Sequence, residues 1–291
     1  MSRMPKWIRA SLQTDKKFVA VSNVLSCGNL HTVCQSARCP NQGECWNSGT
    51  ATFMILGDTC TRDCRFCAVS PGKPPHPDSG EPERVAAAAR QMRLSHIVVT
   101  SVTRDDLSDG GASVFARTIR AIRSAIPGAT VEVLTPDFKG NPSALDIVLD
   151  ARPEVFAHNV ETVRRLQPLI RPQASYECSL QVLRHAANSS KPIAVKSGLM
   201  VGLGESDGEI EEALRDMHAA GCELLTLGQY LSPSRAHAPV ERYVEPSAFD
   251  RYAEMARRIG FQGIASGPLV RSSYRAAELM KLAFPWTPVD A

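Results

Sequence analysis

The stretch TFMILGDTCTRDCRFC, residues 52–67, joins the two signals that decide the fold. Its first part, 52–56, is a short apolar run with β-branched and aromatic residues, which reads as a buried strand. The remainder is a polar loop carrying Cys60, Cys64 and Cys67, with three and two residues between them. Ligand-bearing side chains on the loop at the C-terminal end of a strand are the habit of parallel α/β folds. Five more apolar runs follow, at 96–101, 130–135, 155–157, 193–195 and 224–230. Helical patterns lie at 82–92, 112–126, 144–150, 160–169, 176–187, 207–219 and 247–259. The helix at 112–126 opens after Asp109-Gly-Gly and stops at Pro127-Gly128, good start and stop signals. Six strands alternating with helices predict a parallel sheet with right-handed crossovers. The expected fold is an open, partial (β/α)6 barrel of the TIM type, with an N-terminal extension and a C-terminal helical segment. A flavodoxin-like open sheet is the alternative.

The 291 residues are 43% hydrophobic and 22% charged, ordinary for a soluble globular protein. A net charge of +3 is too mild to indicate nucleic acid. No run approaches the length of a membrane span, and the start MSRMPKWIRASLQTDKKF lacks the apolar segment of a secretory signal. A cytoplasmic location is expected. Arg3, Lys6, Arg9, Lys16 and Lys17 against Asp15 read as a solvated arm, or as a docking arm for an acidic partner. Nine cysteines, six of them between Cys34 and Cys67, argue against a disulfide framework and for metal or redox use.

Three thiolates on one short loop suit three corners of a four-iron, four-sulfur (4Fe–4S) cube and leave the fourth iron open to another ligand. Zinc is the competitor, but structural zinc takes four closed ligands, typically as two pairs. No fourth Cys or His follows at short range, and His76 lies beyond the start of the Pro-rich stretch PGKPPHPDSGEP (71–82). Phe66 either shields a cluster from water or is core. The other triplet, Cys34, Cys39 and Cys45, has gaps of four and five residues and also leaves one position open. A zinc knuckle completed by His31 competes there, although the two-residue knuckle turns are missing. Residues 1–50 lack sustained periodicity, so a metal would have to organise them. Cys27, Cys178 and Cys222 read as small buried hydrophobes.

Polar residues at strand ends are site candidates by position. Thr100, Ser101 and Arg104-Asp105-Asp106 end the second strand, His158, Asn159 and Glu161 the fourth, Gly202-Leu203-Gly204-Glu205 the fifth, and Gln229 and Tyr230 the sixth. No nucleophile elbow, P-loop or Rossmann fingerprint is present.

Cys-x3-Cys-x2-Cys with an aromatic residue before the last cysteine resembles the signature of the radical S-adenosylmethionine (SAM) superfamily. HTVCQSARCPNQGECW (31–46) and GTATFMILGDTCTRDCRFCAV (49–69) are similar to the lipoyl synthase family. The resemblance continues through VVTSVTRDDLSDGGA (98–112), EVLTPDFKG (132–140), AHNVETVRRL (157–166), KSGLMVGLGE (196–205), LTLGQYLSPS (225–234) and RSSYRAAE (271–278). It implies that SAM binds the open iron of a cluster on Cys60, Cys64 and Cys67 and is cleaved to a 5′-deoxyadenosyl radical. It implies an auxiliary 4Fe–4S cluster on Cys34, Cys39 and Cys45, closed by Ser273 of RSSY as a labile fourth ligand. Sulfur from that cluster would enter carbons 6 and 8 of a protein-bound octanoyl-lysine. Thr100, Ser101, Asn159, Glu161, Gly202, Gly204, Gln229 and Tyr230 are the expected SAM contacts.

Ser272 or Ser273 could instead cap the helix continuing into RAAELMKLAF. The implied partners are the lipoyl domains of 2-oxo-acid dehydrogenase complexes, the glycine-cleavage H protein, reduced flavodoxin or ferredoxin, and cluster-repair proteins, with no nucleic acid and no membrane. The expected division is 1–48 for the auxiliary-cluster extension, 49–265 for the barrel and 266–291 for the closing segment. A biotin-synthase-like sulfur inserter and a zinc-stabilised binding protein are the alternatives.

Overall fold

The structure, a computed structural model, describes residues 4–8, 15–47 and 51–283. Arg3, Arg9 and the tail at 284–291, expected to be unstructured, lie outside the described residues. Along the chain come α1 (Lys16–Cys27), β1 (His31–Thr32), α2 (Val33–Ser36), α3 (Gln42–Asn47), β2 (Thr52–Ile55), β3 (Thr59–Cys60) and β4 (Ser70–Pro71). Next are α4 (Glu81–Gln91), β5 (His96–Ser101), α5 (Ala112–Ala125), β6 (Thr130–Leu134), α6 (Pro142–Asp150), β7 (Val155–Ala157) and α7 (Gln167–Ile170). The chain continues through α8 (Tyr176–Ala187), β8 (Ala194–Val201), α9 (Asp207–Ala219), β9 (Leu224–Gln229), α10 (Pro246–Ile259), β10 (Gly263–Gly267) and α11 (Ala276–Ala283).

Strands β2, β5, β6, β7, β8, β9 and β10 are parallel neighbours in that order, and β1 lies antiparallel on β2. The sheet stays open, with β1 and β10 as its edges. The six expected strands are β2 and β5 to β9; β10 is a seventh parallel strand. Its sequence GIASG carries little strand signal, because small residues are required there. A Cβ on Gly263 would stand 2.5 Å from a Leu224 methyl.

Two other expectations need correction. No helix fills 160–166. Glu161 adopts φ 72°, donates its amide to the Gly198 carbonyl (3.0 Å) and accepts from the Met200 amide (2.8 Å), so this segment pairs with β8. A single 3-10 turn, Arg164–Leu166, then leads into the short α7. The N-terminal segment is also more ordered than its weak periodicity suggests. Asp15 caps α1 by accepting from the amides of Lys17 and Phe18, a normal N-cap arrangement. Val21, Leu25 and Trp46 belong to the same core as Phe53 of β2.

After β10 the chain turns back past Thr52, at the start of β2, and the described residues end in α11. Leu279 of α11 packs on Val155, Ala194 and Leu224, at the N-terminal ends of β7, β8 and β9. The C-terminal segment therefore lies against the N-terminal ends of these strands. No helix among the described residues is long and apolar enough to cross a membrane.

Candidate functional site

Both cysteine triplets line one cavity of about 1260 Å³, and Ser273 lines it too. The second triplet is presented by the loop after β2. Pairing of Cys60 with Pro71 in β3 and β4, and donation of the Gly72 amide to the Cys60 carbonyl (2.8 Å), close the base of the loop. Thr61 donates both its amide (3.0 Å) and its hydroxyl (2.9 Å) to the Thr103 carbonyl. The Arg65 amide donates to the Ile170 carbonyl at 2.9 Å, and the Ala238 amide to the Arg65 carbonyl at 2.8 Å. His237 Nε2 lies 2.9 Å from the Cys67 carbonyl. A carbonyl can only accept, so this nitrogen carries the proton.

The first triplet is built on short helices. Thr32 caps α2, which holds Cys34; the Cys39 amide returns to the Cys34 carbonyl (3.0 Å), and the Cys45 amide to the Asn41 carbonyl (2.9 Å). Asn41 Nδ2 donates to the Leu269 carbonyl at 2.6 Å, joining this unit to the C-terminal segment. The RSSY turn faces the barrel. Thr52 Oγ1 donates to Ser273 Oγ (2.8 Å), and Asn159 Nδ2 donates to Ser272 Oγ (2.6 Å). The amides of Glu278 and Leu279 at the start of α11 reach the Arg275 carbonyl, so the two serine hydroxyls are engaged with the barrel and not with that helix.

The thiols fit a metal cluster chemically. Burial pushes Cys67 up to about 12 and also raises Cys64, Cys34 and Cys39. Thiols in such surroundings become thiolates when a bound cation compensates the charge. Among the described residues no three Cys, His, Asp or Glu side chains converge as a single ion requires. Instead the thiols surround a volume large enough for something bigger than one ion.

The candidates at the strand ends divide. Ser101 Oγ and Asn159 Oδ1 are buried without a hydrogen-bond partner, in the cavity wall. Glu161, which accepts from Asn159 Nδ2 (3.0 Å), is raised by burial, with Arg171 opposing the rise. The Thr100 hydroxyl donates to the Leu134 carbonyl (2.9 Å). Gln229 and Tyr230 also line the cavity, but their polar ends hold the 238–244 loop. Gln229 donates to the Arg242 carbonyl (3.0 Å) and accepts from the Val244 amide (2.7 Å), while Tyr230 donates to the Ala238 carbonyl (2.8 Å). Gly202 and Gly204 form a turn behind the wall. Gly202, at φ 102°, leaves no room for a Cβ, which would lie 2.2 Å from Gln229 Nε2.

Sequence reasoning missed Arg171. Its Nη1 donates to the carbonyls of Asn159 and Val160 (both 3.2 Å), and its Nε is buried without a partner. It is a buried cation in the cavity wall beside Cys64, and no motif flags it.

The radical SAM superfamily model matches residues 54–217. The lipoyl synthase of Thermus thermophilus is 56% identical over 274 residues, 94% of this chain and 85% of that protein. That of Rubrobacter xylanophilus is 54% identical over 274 residues, with the same coverage of 94% and 85%. Among solved structures, methylornithine synthase superposes with a TM-score of 0.56 at 14% identity, covering 88% of this chain and 75% of that one, a likeness of fold. With identity above half along nearly its full length, the chain belongs to the lipoyl synthase family of the radical SAM superfamily.

Proposed function

We propose that Cys60, Cys64 and Cys67 hold the SAM-binding 4Fe–4S cluster, and that Cys34, Cys39, Cys45 and Ser273 hold the auxiliary one. As a member of its family, the chain uses SAM and two 4Fe–4S clusters to insert sulfur at carbons 6 and 8 of a protein-bound octanoyl-lysine. When bound, the clusters supply the electron that cleaves SAM and the sulfur that enters the product. The observation that carries the assignment is the convergence on one cavity of both triplets and of Ser273, which lies about 200 residues further along the chain.

The chain's own residues then bind and orient. Arg171 offers a buried guanidinium suited to the SAM carboxylate. Ser101 Oγ, Asn159 Oδ1 and the Glu161 carboxyl offer unspent hydrogen-bonding capacity for its amino and ribose groups. Thr100, Gln229 and Tyr230 shape the wall, with Gly202 and Gly204 supporting it from behind. Thr52 holds the Ser273 oxygen; as a hard ligand among thiolates, that oxygen suits an iron that must be given up.

In the proposed division, 1–48 and 266–291 bring the auxiliary ligands to the 49–265 barrel. The substrate is a lipoyl-type carrier domain, and a reductant is needed. We assign these to 2-oxo-acid dehydrogenase lipoyl domains and H protein, and to flavodoxin or ferredoxin, with cluster-repair proteins restoring the sulfur donor. A reducing compartment such as the cytoplasm suits the thiol ligands.

Anaerobic reconstitution should give about eight irons and eight sulfides per chain. An octanoyl-lysyl peptide with SAM and dithionite should yield 5′-deoxyadenosine and a peptide that has gained two sulfurs. Stoichiometric zinc without iron would overturn the ligand assignment, and 5′-deoxyadenosine without sulfur gain would overturn the substrate.

A further inference from the structure

Arg62 lies between Cys60 and Cys64, and its side chain is only 4% exposed. Its guanidinium makes two bidentate pairs. Nε and Nη2 donate to Asp105 at 2.6 and 2.9 Å, and Nη1 and Nη2 donate to Asp137 at 2.7 Å each. Asp105 stands on the loop after β5, and Asp137 on the loop after β6. Both carboxylate-bearing loops are themselves held. Asp137 Oδ1 accepts from the Lys139 amide (2.9 Å), and the Asp105 amide donates to Thr61 Oγ1 (3.0 Å), closing a ring back onto the cysteine loop. Lys139 Nζ, 3.9 Å from Asp105, balances the second carboxylate. The Arg62 amide points at Cys60 Sγ, 3.4 Å away. One residue thus ties the loop to two strand ends and directs an N–H at the first thiol.

The other ties on this loop are mostly made by backbone groups, which survive a change of side chain. The Arg62 fork spans 43 and 75 residues of sequence and is made by a side chain alone. Only a planar guanidinium presents donors along two edges at once; a lysine ammonium is a point charge that cannot form both pairs.

We propose that Arg62 is a positioning residue of the SAM-cleaving site: through Asp105 and Asp137 it presets the loop on which Cys60, Cys64 and Cys67 bind their cluster. This rests on the assignment of those three cysteines as cluster ligands. In the reconstituted full chain, Arg62→Gln should weaken SAM binding and slow 5′-deoxyadenosine formation by about tenfold to a hundredfold, the usual effect of losing a partner behind a metal ligand. The SAM-induced change in the reduced-cluster EPR spectrum should be lost or broadened. The auxiliary cluster serves as an internal control, and its four irons should stay. Arg62→Lys should resemble Arg62→Gln, and Asp137→Asn should fall between them and the parent chain.

A parent-like SAM affinity and EPR response in Arg62→Gln overturns the proposal. So does full function in Arg62→Lys, because charge alone would then suffice. Loss of both clusters together with a lowered melting temperature in all three variants would make the clamp a general folding element, which also overturns it. Failure of the underlying assignment looks different: Cys60→Ala with Cys64→Ala and Cys67→Ala would then leave the iron content unchanged while Arg62 is intact.

Discussion

The two cysteine triplets share a cavity, yet they are held by different forces. Cys34 is buried in the apolar core with Val21, Leu25 and Trp46, where the rings of Phe18 and Trp46 meet at a 37° tilt with centroids 4.8 Å apart. Cys60, Cys64 and Cys67 ride on a loop fastened by hydrogen bonds to Thr103, Ile170, Asp105, Asp137 and His237. The second set lies within the span shared with the radical SAM superfamily, whereas the first set and Ser273 lie outside it. In the proposed assignment, one site is therefore part of the barrel, and the other is assembled on it from the segments before and after the shared span. In that assignment, the ligand that must let go is carried on an added segment and not on the barrel itself.

The sharpest way to break this comparison is to delete each triplet in turn. Changing Cys60, Cys64 and Cys67 to Ala should abolish 5′-deoxyadenosine formation and leave about four irons. Changing Cys34, Cys39 and Cys45 to Ala should also leave about four irons, but SAM cleavage should continue while the octanoyl peptide gains no sulfur. Iron analysis with mass spectrometry of both products checks this. Equal loss of SAM cleavage in the two variants would show that the sites are not separable.

The barrel was legible where strands are apolar and bounded by turns, as at 96–101 and 155–157. The strand Gly263–Gly267 was not, because packing against Leu224 demands small residues that carry no pattern. The cysteine spacing was local and therefore readable. The Arg62 clamp was not, because its partners lie 43 and 75 residues away, and the buried Arg171 was not, because charge has no period. Position at a strand end also proved a coarse guide. Gln229 and Asn159 both stand near the C-terminal end of a strand, but Gln229 has spent its amide on the 238–244 loop, whereas Asn159 keeps an unpaired oxygen in the cavity.

The apolar basis of the first site is tested by Trp46→Ala. Trp46 is 1% exposed, and its removal should cost about 3–5 kcal/mol in urea unfolding. The polar basis of the barrel site predicts a pH response. His158 lies 2.9 Å from the Thr135 carbonyl and 3.0 Å from Ser179 Oγ. Burial, with Arg171 adding to it, pushes its imidazole down from 6.5 to about 4. The unfolded chain takes up this proton near 6.5 and the folded chain only near 4, so the stabilisation is complete above pH 6.5 and declines as pH falls between these values. About 3 kcal/mol should be lost across that window. Unfolding at pH 7, 5.5 and 4 should show a shallower slope for His158→Asn than for the parent; an equal slope would move the titration elsewhere.

The smallest effects concern the latch between the first triplet and the C-terminal segment. Asn41, 3% exposed, donates to the Leu269 carbonyl, and Asn41→Ala leaves that half-buried acceptor without its partner, at a cost of about 1 kcal/mol. Tyr274 donates to Glu44 at 2.9 Å in an exposed position, so Tyr274→Phe should cost about 0.5 kcal/mol or less. If the auxiliary site is assembled on the barrel, both variants should speed hydrogen exchange in the RSSY turn, Asn41→Ala more than Tyr274→Phe. Exchange in β5 and β6 should not change. Equal acceleration in the barrel strands would mean that the two ends of the chain are as integral to the fold as the sheet, and the contrast between the triplets would then lie only in their chemistry.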